Sequence, residues 1–329
     1  MTSNLPLVRL GAANPFLLEL QRRELPVAEF LRELGLPENI PASSELFVSS
    51  DVMYRIVEKS SELADDPYFG FTIGQKVDLQ DWAPIATAAE CANTVGDLLN
   101  HFIINAMDHS SSTRFFVRTE GDSTTFGFRR LVTPSLVPAQ NDAFYLGLLI
   151  KVLARAAKDQ WDPSAVLFKV ADPDAVPPLP DNFRIAKTDN FGMQIRFPAT
   201  WLLGPIEKSS FSTGEVISED KKLPNSLVEA LHLALLPHMH ESDLNVERAA
   251  RICGFDKRRL SAQLRLRGTT LGKEIAALRA KHAQIGLTNS SRRVFDIAQS
   301  VGFKDATVFS RAFKNWTGQS PQEYRRTHR

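Results

Sequence analysis

The feature that most constrains this chain of 329 residues is a repeat near its C-terminus. One copy reads Ala250-Arg251-Ile252-Cys253-Gly254-Phe255, followed by Leu260, Leu264 and Gly268. The other reads Ala298-Gln299-Ser300-Val301-Gly302-Phe303, followed by Phe309, Phe313 and Gly318. The Gly-Phe pairs lie 48 residues apart and the next apolar anchors 49, so the second copy gains one residue in its turn. Each copy has the grammar of a helix-turn-helix: a short helix burying small and aliphatic residues, a glycine where positive φ ends it, then a second helix. Asp256 and Asp305 stand where a carboxylate answers the free N–H groups of that second helix. In copy one Leu260 and Leu264 face inward, which leaves Lys257, Arg258, Ser261 and Arg265 on other faces. In copy two Phe309, Ala312, Phe313 and Trp316 form the apolar stripe, with Thr307, Ser310, Arg311 and Lys314 outside it.

Charge divides the chain at one place. Residues 1–222 hold 21 Lys+Arg against 29 Asp+Glu, and residues 223–329 hold 18 against 9, within a net charge of +1. Between Trp201 and Pro224 the apolar periodicity lapses into turn formers and charge, including Ser209-Ser210-Phe211-Ser212-Thr213-Gly214. These breaks predict an α+β domain over 1–205, a linker over 206–224, and an all-α domain with two helix-turn-helix units over 225–329. A twofold helix-turn-helix on a basic background predicts double-stranded DNA as the partner. Thr270–Leu287, carrying Leu271, Ile275, Leu278 and Ile285, reads as a bridging helix. At 1.5 Å per residue it spans about 25 Å, which with the widths of the units brings the second helices near the roughly 34 Å turn of B-DNA. One chain is therefore expected to read two successive major grooves on a directional site.

Upstream, the periodicity is mixed. Phe16–Leu34 has helical spacing broken near Pro26, and Ser50-Asp51 are placed to cap a helix that stops before Asp66-Pro67. Further helices are predicted from about Val95 to Met107 and from Asp142 to Ala157. Residues 113–119 and 124–130 read as a hairpin about Gly121, and 165–170 and 192–197 as two more strands. Helices and strands that do not alternate strictly define an α+β domain. Its aromatics Trp82, Phe102, Phe115, Phe116, Tyr145 and Phe168 supply the walls of a pocket, with Trp82, Phe102, Phe116 and Tyr145 as candidate effector contacts. Taken singly, each of these rings is more often core than ligand contact. Arg114, Arg118, Arg129 and Arg130 beside the hairpin suit an acidic effector, and solvated strand faces account for them as well.

Several classes are excluded or disfavoured. Two cysteines, Cys91 and Cys253, build neither a disulfide framework nor a thiolate metal site. The apolar run Ala143–Leu153 is short and interrupted by Lys151, and Arg9 spoils a secretory layout, so a cytoplasmic, reducing location is expected. His232, His238 and His240, like His101 and His109, lack partners at metal-ligand spacing and read as solvated or capping side chains, with no metal or cofactor implied. Cys253 stands where the repeat has Val301 and reads as a small core residue. Phosphate-binding glycine loops, Gly-x-Ser-x-Gly elbows and His-Glu-x-x-His motifs are missing, and no enzyme is expected.

The run Asp296-Ile297-Ala298, Val301-Gly302-Phe303, Phe309-Ser310-Arg311-Ala312-Phe313-Lys314, Gly318-Gln319-Ser320-Pro321 and Tyr324-Arg325 resembles the signature of AraC/XylS-type transcription regulators. Arg279 and Ala283 match that family's linker helix. Residues 15–205 are similar to the arabinose-binding-like, non-cupin effector domain of one subgroup, on Leu63-Ala64-Asp65-Asp66-Pro67-Tyr68-Phe69-Gly70-Phe71, the Thr94–Leu99 helix start and the Gly192–Phe197 strand. The resemblance implies base contacts at Arg258, Ser261 and Arg265 from the first unit and at Ala306, Thr307 and Arg311 from the second. Lys257, Arg259, Lys304 and Lys314 are then the phosphate contacts. The chain departs from the family at Ala262, where an arginine is usual, so Arg258 or Arg265 takes over its role. The resemblance further implies a small-molecule effector, transcriptional activation with RNA polymerase as partner, and self-association as a homodimer. Two other readings stand beside it: a regulator whose N-terminal domain only dimerises, and a DNA-linked enzyme.

Overall fold

The computed structural model describes residues 5–36, 38, 46–180, 182–206, 224 and 226–328. It divides into two compact units, Pro6–Leu223 and Pro224–Arg329, the second also taking in Leu5. Apart from Ile206 and Pro224, the segment expected as a linker lies outside the described residues.

The N-terminal unit is organised on a five-stranded sheet. In chain order its strands are β3 (Thr113–Glu120), β4 (Ser123–Arg130), β5 (Leu167–Val170), β6 (Arg184–Lys187) and β7 (Gly192–Pro198), while β1 (Leu7–Arg9) and β2 (Phe47–Ser49) pair separately. The spatial order is β3-β4-β7-β5-β6, with only β5 and β6 parallel. The expected hairpin forms around Gly121, whose φ of 56° puts it in the left-handed region that glycine tolerates. Strict alternation sends Phe115, Val117, Phe126, Phe128, Met193, Ile195, Phe197 and Phe168 to one face, where the helices cover them.

Those helices are α1 (Asn14–Arg22), α2 (Val27–Glu33), α3 (Ser50–Ala64), α4 (Phe69–Lys76), α5 (Ala83–Cys91), α6 (Val95–His109) and α7 (Ala139–Ala157). Pro26 separates α1 from α2, as its fixed φ and missing N–H require. The cap of α3 is Ser49, one residue before the expected pair; its hydroxyl accepts from the Val52 N–H. A full capping box between Thr94 and Asp97 starts α6. Helices α4 and α5 were not evident in the sequence. Helix α4 lies backbone to backbone on α7: a Cβ at Gly70 or Gly74 would stand 2.1 Å from the carbonyl oxygen of Gln140 or Phe144.

The C-terminal unit is helical: α8 (Leu227–Leu235), α9 (Val246–Ile252), α10 (Lys257–Arg265), α11 (Leu271–Asn289), α12 (Val294–Ser300), α13 (Ala306–Thr317) and α14 (Pro321–Thr327). Helix α11 is the expected bridge, and helices of both repeat units pack on it. Its buried apolar residues are Leu271, Ile275, Leu278, Ala283 and Leu287, whereas Ile285 is 45% exposed. Steps of four from Ile275 pass through Ala283 and Leu287, which turns Ile285 to the opposite side.

Candidate functional site

The two turns are built alike. Gly254 and Gly302 take φ of 65° and 83°. In each, the residue after the glycine donates back to the small residue that opened the motif, Phe255 N–H to the Ala250 carbonyl at 3.0 Å and Phe303 N–H to the Ala298 carbonyl at 2.9 Å. This is the closure that satisfies orphan carbonyls at a helix end. Asp256 accepts from the N–H groups of Arg258 and Arg259, and Asp305 from those of Thr307 and Val308. Both carboxylates therefore cap as their spacing requires. Leu260 and Leu264 in α10, and Phe309 and Phe313 in α13, are fully buried.

With those pairs inward, the 100° step of the helix fixes the outward side. In α13, Arg311 lies directly opposite the buried pair, with Thr307 about 40° and Lys314 about 60° from that direction; all three are exposed. Ala306 is half-buried nearer the core, and the half-buried Ser310 donates its hydroxyl to the Ala306 carbonyl. The corresponding outward positions in α10 are Arg258, Ala262 and Arg265, also exposed, with Ser261 half-buried. Ala262 thus occupies the outward position that Arg311 holds in the second copy. Arg259 and Lys304 are exposed, but Lys257 is ion-paired to Glu247 in the free protein. Glu247 is held below the usual carboxylate range by the hydrogen bond from that lysine.

The rest of the signature holds the scaffold. Phe303 packs edge-on against Phe309 and Trp316, and Tyr324 against Phe313. Arg325 donates to the carbonyls of Leu287 and Arg292, closing the end of α11. Arg279 donates to the Glu241 carbonyl at 3.2 Å and lies over the Phe303 ring, and burial lowers its pKa. Cys253 is fully buried, and burial pushes its thiol up to about 12, so it is a core residue with no thiolate reactivity. His238 is buried against Glu241, and His232 bonds Glu274, so neither is a solvated or capping side chain. Among the described residues no group of three His, Cys, Asp or Glu side chains could hold a metal.

The N-terminal unit contains a cavity of about 70 Å³ between α1, α3, α6, α7 and β3. Trp82, Phe102, Phe115, Phe144 and Tyr145 form aromatic walls, and Tyr54, His109, Ser112, Thr113 and Asn141 supply polar atoms. Three of the four expected contacts, Trp82, Phe102 and Tyr145, are there. Phe116 is not, because the pleat sends it to the other face of β3 and brings Phe115 in. Phe168 is core, fully buried and outside the cavity lining. Burial lowers the His109 pKa to about 4, with Arg9 adding to the effect, so its imidazole is neutral at physiological pH. Burial raises the Tyr145 phenol well above its ordinary value.

Behind Tyr54 stands a buried ion pair. Arg130 and Asp142 are both fully buried; Arg130 also donates to the Tyr54 hydroxyl at 3.0 Å and to the Asn190 carbonyl, and Asp142 accepts from the Ala171 N–H. Glu58 accepts from the N–H groups of Gln140 and Asn141 at the start of α7, yet burial raises its pKa to about 7. Arg130 is thus a structural residue, and Arg114, Arg118 and Arg129 lie on the sheet face away from the cavity. None of these arginines lines the cavity to meet an acidic effector.

Comparison with known proteins agrees with this geometry. A family model described as the arabinose-binding domain of AraC transcription regulator, N-terminal, matches residues 25–206. A second, described as a helix-turn-helix domain, matches residues 249–327. The first alone covers more than half of the chain. The protein belongs to the AraC-type transcription regulators, with an arabinose-binding-like N-terminal domain and a helix-turn-helix C-terminal domain. The Msm operon regulatory protein of Streptococcus mutans is 30% identical over 125 residues, which is 38% of this chain and 41% of that one. An uncharacterised HTH-type transcriptional regulator of Staphylococcus aureus is 28% identical over 121 residues, 36% of this chain and only 15% of the relative. The solved DNA-binding domain of AdpA, in complex with a target DNA, is 26% identical; the match covers 31% of this chain and 92% of that one, with a TM-score of 0.28. Among the described residues no helix is long and apolar enough to cross a membrane.

Proposed function

We propose that this regulator is switched by a small molecule bound in the N-terminal cavity and that it acts as a transcriptional activator. The observation that carries effector control is the cavity itself, an aromatic-walled space with a few convergent polar groups. The Tyr145 hydroxyl makes no hydrogen bond among the described residues, and His109 is neutral. No Lys, Arg, Asp or Glu side chain lines the cavity. These features suit an uncharged, mostly apolar effector with one hydrogen-bonding group, because an ionised ligand would lose hydration with no opposite charge to meet it. Binding shifts the population toward a DNA-competent state in proportion to the difference in affinity between the two states.

On the DNA side, Arg311 and Thr307 of α13 and Arg258, Arg265 and Ser261 of α10 contact base edges, with Ala306 packed at the start of α13. Lys304, Lys314, Arg259 and Lys257 hold phosphates, the last after release from Glu247. The reading takes the domains as 1–205 and 225–329, joined by 206–224. RNA polymerase is the further partner in activation, a homodimer the mode of self-association, and the cytoplasm the location.

The test is a melting-temperature screen of the purified chain against paired neutral and ionised small molecules, such as phenol against benzoate. Hits are then carried into DNA-binding assays. Stabilisation by neutral members that changes DNA affinity supports the reading. Stabilisation by ionised members only overturns the ligand class, and no stabilisation by any member favours a domain that only self-associates.

A further inference from the structure

The side of the five-stranded sheet turned away from the helices is basic, although the unit that carries it is acidic. The strand register places Arg118, Thr125, Arg196, Leu167 and Arg184 in one row across β3, β4, β7, β5 and β6. The neighbouring row is Phe116, Gly127, Gln194, Lys169 and Ala186, and the next is Arg114, Arg129 and Gly192. Arg114, Arg118, Arg129, Lys169, Arg184 and Arg196 are all exposed. The only carboxylate in these rows or the terminal one (Glu120, Ser123, Pro198) is Glu120, which pairs with Arg118 at 3.4 Å. In the first row the cations sit on alternate strands, about 10 Å apart at the usual strand spacing. A polar cleft of about 230 Å³ opens on the same face, lined by Ser123, Thr125, Leu167, Lys169, Gln194 and Arg196, with Glu120 at its edge.

A solvated sheet face drawn from a segment with 29 acidic and 21 basic residues should carry more acids than bases. This one reverses the balance. Like charge makes it a poor surface for a second copy of itself, and its width exceeds what one small anion covers. We infer that this sheet face holds the sugar-phosphate backbone of duplex DNA outside the segment gripped by the helix-turn-helix units. The inference rests on the DNA-binding role already established for the family. Duplex already bound by α10 and α13 is the polyanion at highest local concentration, and backbone contacts of this kind add affinity without reading sequence.

The experiment measures the salt dependence of binding by the full chain to random-sequence duplexes of two lengths, roughly 20 bp, about two helical turns, and roughly 40 bp. Each phosphate contact contributes about 0.9 to the slope of log K against log salt. The variant Arg118→Gln/Lys169→Gln/Arg196→Gln should lose about 2 to 3 from the slope on the long duplex and nothing on the short one. Its affinity for the long duplex at low salt should fall about tenfold or more. Lys314→Ala is the control for the helix-turn-helix reading, since it should flatten the slope on both lengths. The added-charge variant Thr125→Lys/Gln194→Lys should steepen the slope on the long duplex alone, which keeps the test independent of any loss of fold in the triple variant. Identical slopes for wild type and both sheet variants would overturn the inference while leaving the helix-turn-helix contacts standing. If inorganic phosphate or an acidic peptide stabilises wild type but not the triple variant, with DNA slopes unchanged, the face serves a different anion and the inference also fails. If Lys314→Ala is equally silent on both lengths, the failure lies in the helix-turn-helix reading.

Discussion

The two helix-turn-helix units differ least where they touch themselves and most where they touch nothing. Both end their first helix on a glycine of positive φ, return the following N–H to an alanine carbonyl, cap the second helix with aspartate and bury an i, i+4 pair. Few residue types satisfy those geometries, so the pattern recurs. On the outward sides, Arg258, Ala262, Arg265 and Leu266 of the first copy stand against Thr307, Arg311, Lys314 and Asn315 of the second. These side chains face solvent, and the fold imposes no identity on them. The scaffold is duplicated, but the exposed side chains on it are not.

The sharpest way to break that comparison is at the turn. Gly302 combines a φ of 83° with crowding: a Cβ there would stand 2.7 Å from the Glu241 carbonyl oxygen and 2.8 Å from that of Met239. Gly318 has a similar φ of 80° with nothing within 4 Å. Gly302→Val should therefore cost about 3 kcal/mol of stability or more, strain and clash together. Gly318→Ala should cost about 1 kcal/mol from strain alone. Denaturant melts of the two variants measure the difference. Equal losses would mean that the second turn relaxes freely and that its glycine is a matter of φ only.

The next test exchanges the outward residues. Arg311→Ala should cost about 1–3 kcal/mol on a selected site and relax preference at one base pair, because a guanidinium reaches O6 and N7 of guanine together. Ala262→Arg places the same side chain at the equivalent position of the first copy. It should add preference for guanine at one new position, with little change in stability because the site is exposed. Selection of bound sequences by wild type and both variants reads the outcome. If Arg311→Ala weakens all sequences alike, that arginine holds backbone and the asymmetry between the copies is not one of reading.

This division also explains what the sequence made legible. The repeat, its caps, the bridging helix and the hairpin follow from local rules, and each lies within two residues of its expected place. Helix α4 was missed because its signal is tertiary. Gly70 and Gly74 count against a helix locally and make sense only where α7 lies directly on them. Phe116 was misplaced by one step of the pleat, a slip that moves a side chain to the opposite face. The basic sheet face was invisible for a related reason: Arg118, Arg196 and Arg184 are far apart in sequence and meet only through the strand order. The burial of Arg130 with Asp142 was equally hidden, since nothing local separates it from the exposed Arg129 beside it.

The smallest predicted effect concerns two lysines that sequence treats as equals. Lys314 has no ion pair among the described residues, whereas Lys257 is held by Glu247 across the first turn. An exposed pair of this kind adds little to stability, but it occupies a charge that DNA would otherwise neutralise. Lys314→Ala should lower the salt slope by about 0.9, the value of one phosphate contact. Lys257→Ala should lower affinity less, because part of what it gives to phosphate is taken from Glu247. Glu247→Gln should then strengthen binding at low salt by a few-fold, with the gain fading as salt rises and screens the competing carboxylate. Titrations of the three variants at several salt concentrations separate these outcomes. An unchanged affinity in Glu247→Gln alongside equal losses in the two lysine variants would show that the pair opens at no cost on DNA, and the two copies would grip the backbone alike.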